Sequence, residues 1–347
     1  MSAAMTEEYF GFTQAPFSLT PDPAFAFAAE SHERALRVIL HGLGRHEGLM
    51  LLTGDIGCGK TTLCRRLLPM LPARSFLSLV LNPFLTAEDL LKQVLEDFGL
   101  VSNDDLRRGP LTKANAHELG RTLQEFLNSL EQIDGTAIII IDESQNLPLK
   151  TLEQIRLLSN FETTTDKLLQ ILLVGQPELK EKLQLPQLRQ LKQRISLRCA
   201  IPPMTTEETR DYIRTRLRIA GARDLNIFAE PAVRRIAEFA GGIPRIVNIV
   251  CDHTLLIGYA EQTRQVRREI VDRAIKYLED GELPSRQVST PFWRRQLPRW
   301  AVATALVTTG GVVAAATIDA GAWSGLWQSV VVSLVDLART ARHLVGG

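Results

Sequence analysis

The chain has 347 residues, and its 40 Lys and Arg against 39 Asp and Glu leave a formal net charge of +1. That balance excludes global attraction to nucleic acid and leaves only local patches for such binding. The length points to one substantial core with attachments, and the cysteines (Cys58, Cys64, Cys199 and Cys251) show no paired metal-ligand spacing, as expected in a reduced compartment. The first residues lack a basic region followed by an apolar stretch, so no cleaved signal is expected.

Residues 1–30 are rich in aromatics and proline: Tyr9, Phe10, Phe12, Pro16, Phe17, Pro21, Pro23, Phe25 and Phe27. The prolines argue against a regular helix. Such an arm either packs its rings on the domain or caps the base of a nucleotide. Ser31 and Glu33 then open a helix through Ala35, Leu36, Ile39, Leu40 and Leu43.

The central motif is Gly54-Asp55-Ile56-Gly57-Cys58-Gly59-Lys60-Thr61, set between the apolar run Leu49–Leu52 and the helical pattern that starts near Thr62. A strand, a glycine loop and a helix N-terminus in that order supply backbone N–H groups, partial positive charge and a lysine to a triphosphate. The expectation is that residues 54–62 bind nucleotide, that Lys60 reaches the β and γ phosphates, and that the Thr61 hydroxyl binds Mg²⁺. The pattern should arise by chance in roughly one chain in a hundred of this length, so the phosphate-binding reading outweighs coincidence.

Ser75–Leu81 reads as a second buried strand, and Thr86 with Asp89 caps a helix over 87–98. After a polar stretch, Leu119, Leu123, Phe126, Leu127 and Leu130 lie on one helix face. Thr136–Ile141 is a continuous apolar run that ends in Asp142 and Glu143, as expected of a parallel strand buried on both faces. Ligands in open α/β sheets bind at carboxyl ends of strands. There Asp142 is placed to hold Mg²⁺ and Glu143 to orient or deprotonate the attacking water. Gln170–Gly175 forms a fourth strand, whose tip places Gln176 to sense the γ-phosphate. A leucine-rich helix through Leu179, Leu183, Leu188 and Leu191 ends at Arg194, and Ile195–Ile201 forms a fifth strand. An arginine there can project into a neighbouring subunit's site; Arg194 is the favoured finger, with Arg189 and Arg198 as competitors.

From Met204 the pattern turns to consecutive helices: one capped by Thr205 and Glu208, one entered at Pro231 and closed at Gly241-Gly242, one beginning at Pro244-Arg245, and one over 268–278. They form a small lid in which Arg245 can contact the γ-phosphate from above.

Taken together, GDIGCGKTT, IIIIDESQNL, LLVGQPEL, the QRI before the fifth strand and GGIPRIVN resemble an AAA+ ATPase of the additional-strand P-loop class, whose sheets run 5-1-4-3-2. More narrowly, YFGFTQAPFSLTPDPAFAF with SHERAL resembles the secretion-associated ExeA/GspA-type ATPases, over roughly Tyr9 to Glu279. The resemblance implies an ATP- and Mg²⁺-dependent ATPase and a homo-oligomer. It makes Lys60 and Thr61 Walker A, Asp142 and Glu143 Walker B, Gln176 a sensor 1, Arg194 a finger and Arg245 a sensor 2. Many relatives carry Asn, Ser or Thr at sensor 1, where this chain has Gln176. Members of the secretion group often carry a wall-binding domain after a membrane helix, and too few residues follow the apolar run here to form one.

The expected organisation is an arm at 1–30, an AAA+ core at 31–203, a lid at 204–280, a linker at 281–299, a transmembrane helix at 300–318 and an amphipathic tail at 319–347. Ala301–Ile318 carries no charge, follows Arg294, Arg295 and Arg299, and precedes Asp319, which places the ATPase on the cytoplasmic side of an inner membrane in a single pass. The leading functional expectation is a membrane-tethered ATPase that drives a secretion, pilus or polysaccharide-export system. The alternatives are a nucleic-acid-associated ATPase resembling transposition regulators, with Arg264, Arg267, Arg268 and Arg273 as a local patch, and a nucleotide-gated scaffold without turnover.

Overall fold

Five apolar runs become parallel strands because each is followed by a helix that returns the chain across one face of the sheet. In the computed structural model, which describes residues 2–280 apart from positions 21, 26, 28, 83, 103, 106–108, 110–113, 134 and 162–166, they are β1 (Leu49–Gly54), β2 (Ser75–Val80), β3 (Thr136–Ile141), β4 (Leu169–Gly175) and β5 (Leu197–Ile201). Their order is β2-β3-β4-β1-β5, all parallel, as the resemblance implied. β1 and β4 are buried along their whole length, whereas the edge strands β2 and β5 are part-exposed.

Period-two alternation divides the core. Ala137, Ile139 and Ile141 face α4 (Ala87–Asp97), α5 (Ala116–Glu131) and α6 (Leu149–Leu158). Ile138 and Ile140 face α2 (Glu30–Gly44) and α3 (Lys60–Leu67), where Ile39, Leu63 and Leu67 are buried. The leucine-rich helix through Leu179, Leu183, Leu188 and Leu191 to Arg194, expected as one piece, is divided because Pro186 lacks the N–H an uninterrupted helix needs. It forms α7 (Glu178–Lys182), a 3₁₀ turn at Pro186–Leu188, and α8 (Arg189–Arg194).

The lid consists of α9 (Thr206–Ile219), α10 (Glu230–Ala240), α11 (Pro244–Ala260) and α12 (Arg268–Asp280). Thr205 and Glu208 make the expected reciprocal cap, and Gly241 ends α10 in the left-handed conformation. The first segment departs from expectation, for Ser2–Phe10 is helical (α1). Its prolines begin only at Pro16, so nothing in Ser2–Phe10 interrupts a helix.

The aromatic rings of this arm pack inside the lid. Phe10, Phe12, Phe17 and Phe25 share one cluster with Ile213, Leu217, Phe228 and Val247, and Phe27 meets Tyr212 edge-on at 5.5 Å. Polar contacts fix the register. The Thr13 N–H and hydroxyl both donate to the Ala220 carbonyl, at 2.8 and 3.0 Å. The buried Arg216 guanidinium donates to the Pro16 and Ser18 carbonyls and to the Tyr212 hydroxyl, and lies 4.7 Å from the Phe25 ring centroid. Arm and lid therefore share one core. The expected linker, transmembrane helix and tail, residues 281–347, lie outside the described residues; among the described residues no helix is long and apolar enough to cross a membrane.

Phe17 is 1% exposed, so Phe17→Ala should lower the unfolding free energy by about 3–5 kcal/mol. Urea melts followed by lid-sensitive fluorescence check this, and a loss below about 1 kcal/mol would detach the arm from the lid core.

Candidate functional site at the carboxyl end of the sheet

The strand register brings three strand ends side by side. Ile141 pairs with Leu173, and Thr53 with Gly175, so Asp142 and Glu143 after β3, Gln176 after β4 and the loop after β1 emerge at one level.

The loop owes its path to glycine. Gly57 and Gly59 have φ of +80° and +95°, in the region that side chains disfavour. Gly57 also lacks room for a side chain: a Cβ there would lie 2.7 Å from the Arg245 Cβ. The Arg245 N–H points at the Gly57 carbonyl at 3.4 Å. Thus the start of α11 rests on the loop, while the Arg245 side chain itself is exposed. On the other side, His32 Nε2 lies 2.7 Å from the Cys58 carbonyl, and Ser31 Oγ lies 3.4 Å from His32 Nδ1. Burial, the largest influence, holds His32 below its ordinary value, so the neutral ring donates through Nε2–H to Cys58.

Lys60 is 5% exposed and donates to the carbonyls of Gly54 and Asp55, at 2.9 and 3.0 Å. The Thr61 hydroxyl donates to Asp142 Oδ2 at 2.5 Å, and Asp142 Oδ1 accepts from the Glu143 N–H at 2.8 Å. Asp142 is 2% exposed. Thr61 and Asp142 therefore present hard oxygens of the kind magnesium takes, usually in company with substrate phosphates; among the described residues no cluster of three or more His, Cys, Asp or Glu could hold a metal by itself. The donor set and the glycine cradle fit a magnesium nucleotide. Ile56 and Thr62 are exposed, and Cys58 is buried. Burial pushes the Cys58 thiol up, and burial followed by the Asp142 charge pushes Cys64 up to about 12, which favours the thiol form of both at neutral pH.

Glu143 is a non-glycine residue at φ +51°, a conformation that costs energy and persists only where neighbours hold it. Its Oε2 accepts from Gln176 Nε2 at 3.1 Å and from Gln145 Nε2 at 2.6 Å. The structure thus brings Glu143 and Gln176 together, and adds Gln145. Sequence reasoning assigned no role to Gln145 or His32; the available signals were a polar residue two places after the acid pair and a histidine in the first turn of α2. Arg194 stands apart. It is exposed at the end of α8, its Nη1 meets the Ser159 carbonyl at 3.4 Å, and among the described residues no ion pair to a carboxylate and no hydrogen bond to the Lys60–Glu143 cluster is made. Arg198 donates to the Lys192 carbonyl.

Sheet order, glycine loop and acid pair define a P-loop protein of the AAA class. Residues 43–183 match the family described as AAA domain. Over 262 residues, 76% of this chain and 46% of the relative, the chain is 37% identical to general secretion pathway protein A of Aeromonas hydrophila. It belongs to the AAA ATPases that resemble that protein, and it spans less than half of that protein's length. Among solved structures it is similar to the ORC2 protein of Aeropyrum pernix in ADPNP–ADP complexes, with TM-score 0.55 and 16% identity over 79% of this chain and 74% of that one. Cdc6p of Pyrobaculum aerophilum gives TM-score 0.56 and 16% identity over 75% and 70%. At such identities the likeness is one of fold.

Two outcomes follow. Gly57→Ala, strained in φ and in contact with Arg245, should weaken nucleotide binding by about ten-fold or more, whereas Gly120→Ala, which meets nothing within 4 Å, should leave it unchanged; titration with a fluorescent ATP analogue compares them. Because the folded-state value of His32 is lowered, the unfolded chain binds the proton more readily, so His32 contributes stability above its ordinary value of 6.5 that is lost as pH falls through the folded value. Melts across that range should show a smaller acid loss for His32→Gln than for wild type.

Proposed function

We propose that the chain binds ATP with Mg²⁺ and hydrolyses it to ADP and phosphate, and that it does so as a membrane-tethered member of a bacterial envelope system for secretion, pilus assembly or polysaccharide export. The observation that carries the catalytic part is the convergence of Lys60, Thr61–Asp142 and the amide-held Glu143 at the ends of β1, β3 and β4. In this reading residues 54–62 hold the triphosphate and Lys60 exchanges its carbonyl partners for phosphate oxygens. The Thr61 hydroxyl and Asp142 would hold a magnesium ion, which when bound would supply positive charge against the phosphates. Glu143 accepts a proton from the attacking water as the Pγ–O bond to ADP breaks. Gln176 reports the γ-phosphate to β4. Arg245 covers it from the lid, supported by the contact of its backbone with Gly57.

Arg194, exposed and without a carboxylate partner among the described residues, is proposed to enter the site of a neighbouring copy, which makes the working form a homo-oligomer. The envelope assignment rests on the likeness to general secretion pathway protein A, and single-pass anchoring in the inner membrane rests on the uncharged run Ala301–Ile318. The nucleic-acid reading is weaker than the sequence left it, because Arg273 pairs with Glu261, Arg268 with Asp272, and Arg264 lies over the Tyr9 ring.

Phosphate-release assays test the catalytic reading. Glu143→Gln should retain ATP affinity and lose about 10²–10⁴-fold in kcat, and Lys60→Ala should lose binding. Wild type that binds ATP without turnover would support the scaffold instead, and full activity in Glu143→Gln would remove that residue from the chemistry.

A further inference from the structure

Gln145 occupies a place between the acid pair and the tip of β4. Its amide orientation is set by its partners: Oε1 accepts the Gln176 main-chain N–H at 3.0 Å, and Nε2 donates to Glu143 Oε2 at 2.6 Å. A flipped amide would oppose donor to donor and oxygen to carboxylate. Its backbone is also held, since the Lys182 ammonium donates to the carbonyls of Gln145 and Leu147, at 2.8 and 2.5 Å. Gly175 provides the space: a Cβ there would lie 2.9 Å from Gln145 Oε1 and 2.8 Å from Leu179 Cδ2.

Both amide N–H groups reaching Glu143, from Gln145 and Gln176, end on the same oxygen, Oε2. A glutamate side chain has several rotatable bonds, and one hydrogen bond leaves it free to swing. Two donors from different elements pin that oxygen. The left-handed backbone of Glu143 already commits the Cα–Cβ direction.

We propose that Gln145 is a positioning residue that ties the Glu143 carboxylate to β4 through Oε2, so that Oε1 is the oxygen turned to the reacting water. The inference rests on the reading of Glu143 as the base. Gln145 touches no phosphate in this account. It acts through Glu143, and through its bond to the Gln176 N–H it makes the angle of that carboxylate depend on where the β4 tip sits.

The test is a cycle of kcat, KM and ATP affinity in wild type, Gln145→Met, Glu143→Gln and the double variant. Gln145→Met keeps the side-chain volume and should lower kcat about ten-fold or more, since small misplacements of a reacting group have effects of that size, with ATP affinity within about two-fold of wild type. In the Glu143→Gln background the same substitution should change kcat by less than about two-fold, because the group it positions is gone. Gln145→Glu, which keeps the acceptor for the Gln176 N–H but opposes a carboxylate to Oε2, should reproduce the kcat loss at unchanged affinity, and it serves where Gln145→Met proves unstable. Wild-type kcat in both Gln145 variants, or an equal fold-loss in both backgrounds, would overturn the proposal while leaving the base reading intact. Full turnover in Glu143→Gln, or none in wild type, would overturn both.

Discussion

The hydrogen bond from Thr61 to Asp142 spans 81 residues of sequence and joins the helix after β1 to the tip of β3. Those strands are not neighbours, because β4 lies between them. The parallel register, in which the three central strands end at one level, makes this contact, and the same geometry places Gln176, after β4, within reach of Glu143. β1, β3 and β4 are buried almost throughout and predominantly apolar. Their burial keeps a hydroxyl, two carboxylates and an amide in register at the surface of the sheet.

The phosphate loop is held from outside the sheet as well. His32 bonds the Cys58 carbonyl from one side, and the Arg245 backbone meets Gly57 from the other. The arm that precedes His32 is packed, through Phe10, Phe12, Phe17 and Phe25 and through Arg216, into the core to which Val247 and Val250 of α11, the helix that opens at Pro244-Arg245, also belong. Arm, lid and loop thus form a closed circuit of contacts in one chain. A shift of the lid against the sheet would bear on the loop both at Gly57 and, through the arm and α2, at Cys58. That arrangement gives the helices after β5 two connections to the glycine loop, one at Gly57 and one at Cys58.

Much of this was legible in the sequence for local reasons. The central strands were largely apolar runs, the loop had a fixed spacing of glycines before Lys60 and Thr61, and the acid pair closed the isoleucine run of β3. What escaped depended on distance along the chain. The arm showed its aromatic rings but not their partners, since Thr13 meets Ala220 across 207 positions. Gln145 showed a polar side chain but not its neighbour, because the Gln176 N–H arrives 31 residues later on another strand. The leucine periodicity of Leu179, Leu183, Leu188 and Leu191 predicts one helix, and Pro186 divides it into two. Arg194 was legible only as an exposed arginine before the fifth strand, because a residue that enters a neighbouring copy meets its partner outside its own chain; among the described residues its guanidinium has no carboxylate partner.

The central claim is that residues 54–62, Asp142 and Glu143 form one magnesium-nucleotide site. A crystal structure of the chain with a non-hydrolysable ATP analogue and Mg²⁺ tests it most directly. The account predicts phosphates over the N–H groups of the loop, the metal between the Thr61 hydroxyl and Asp142, Lys60 withdrawn from the Gly54 and Asp55 carbonyls onto phosphate, and Glu143 still joined through one oxygen to Gln145 and Gln176. Nucleotide bound elsewhere, or bound at the loop with Lys60 still on its carbonyls and the metal away from Asp142, would contradict it.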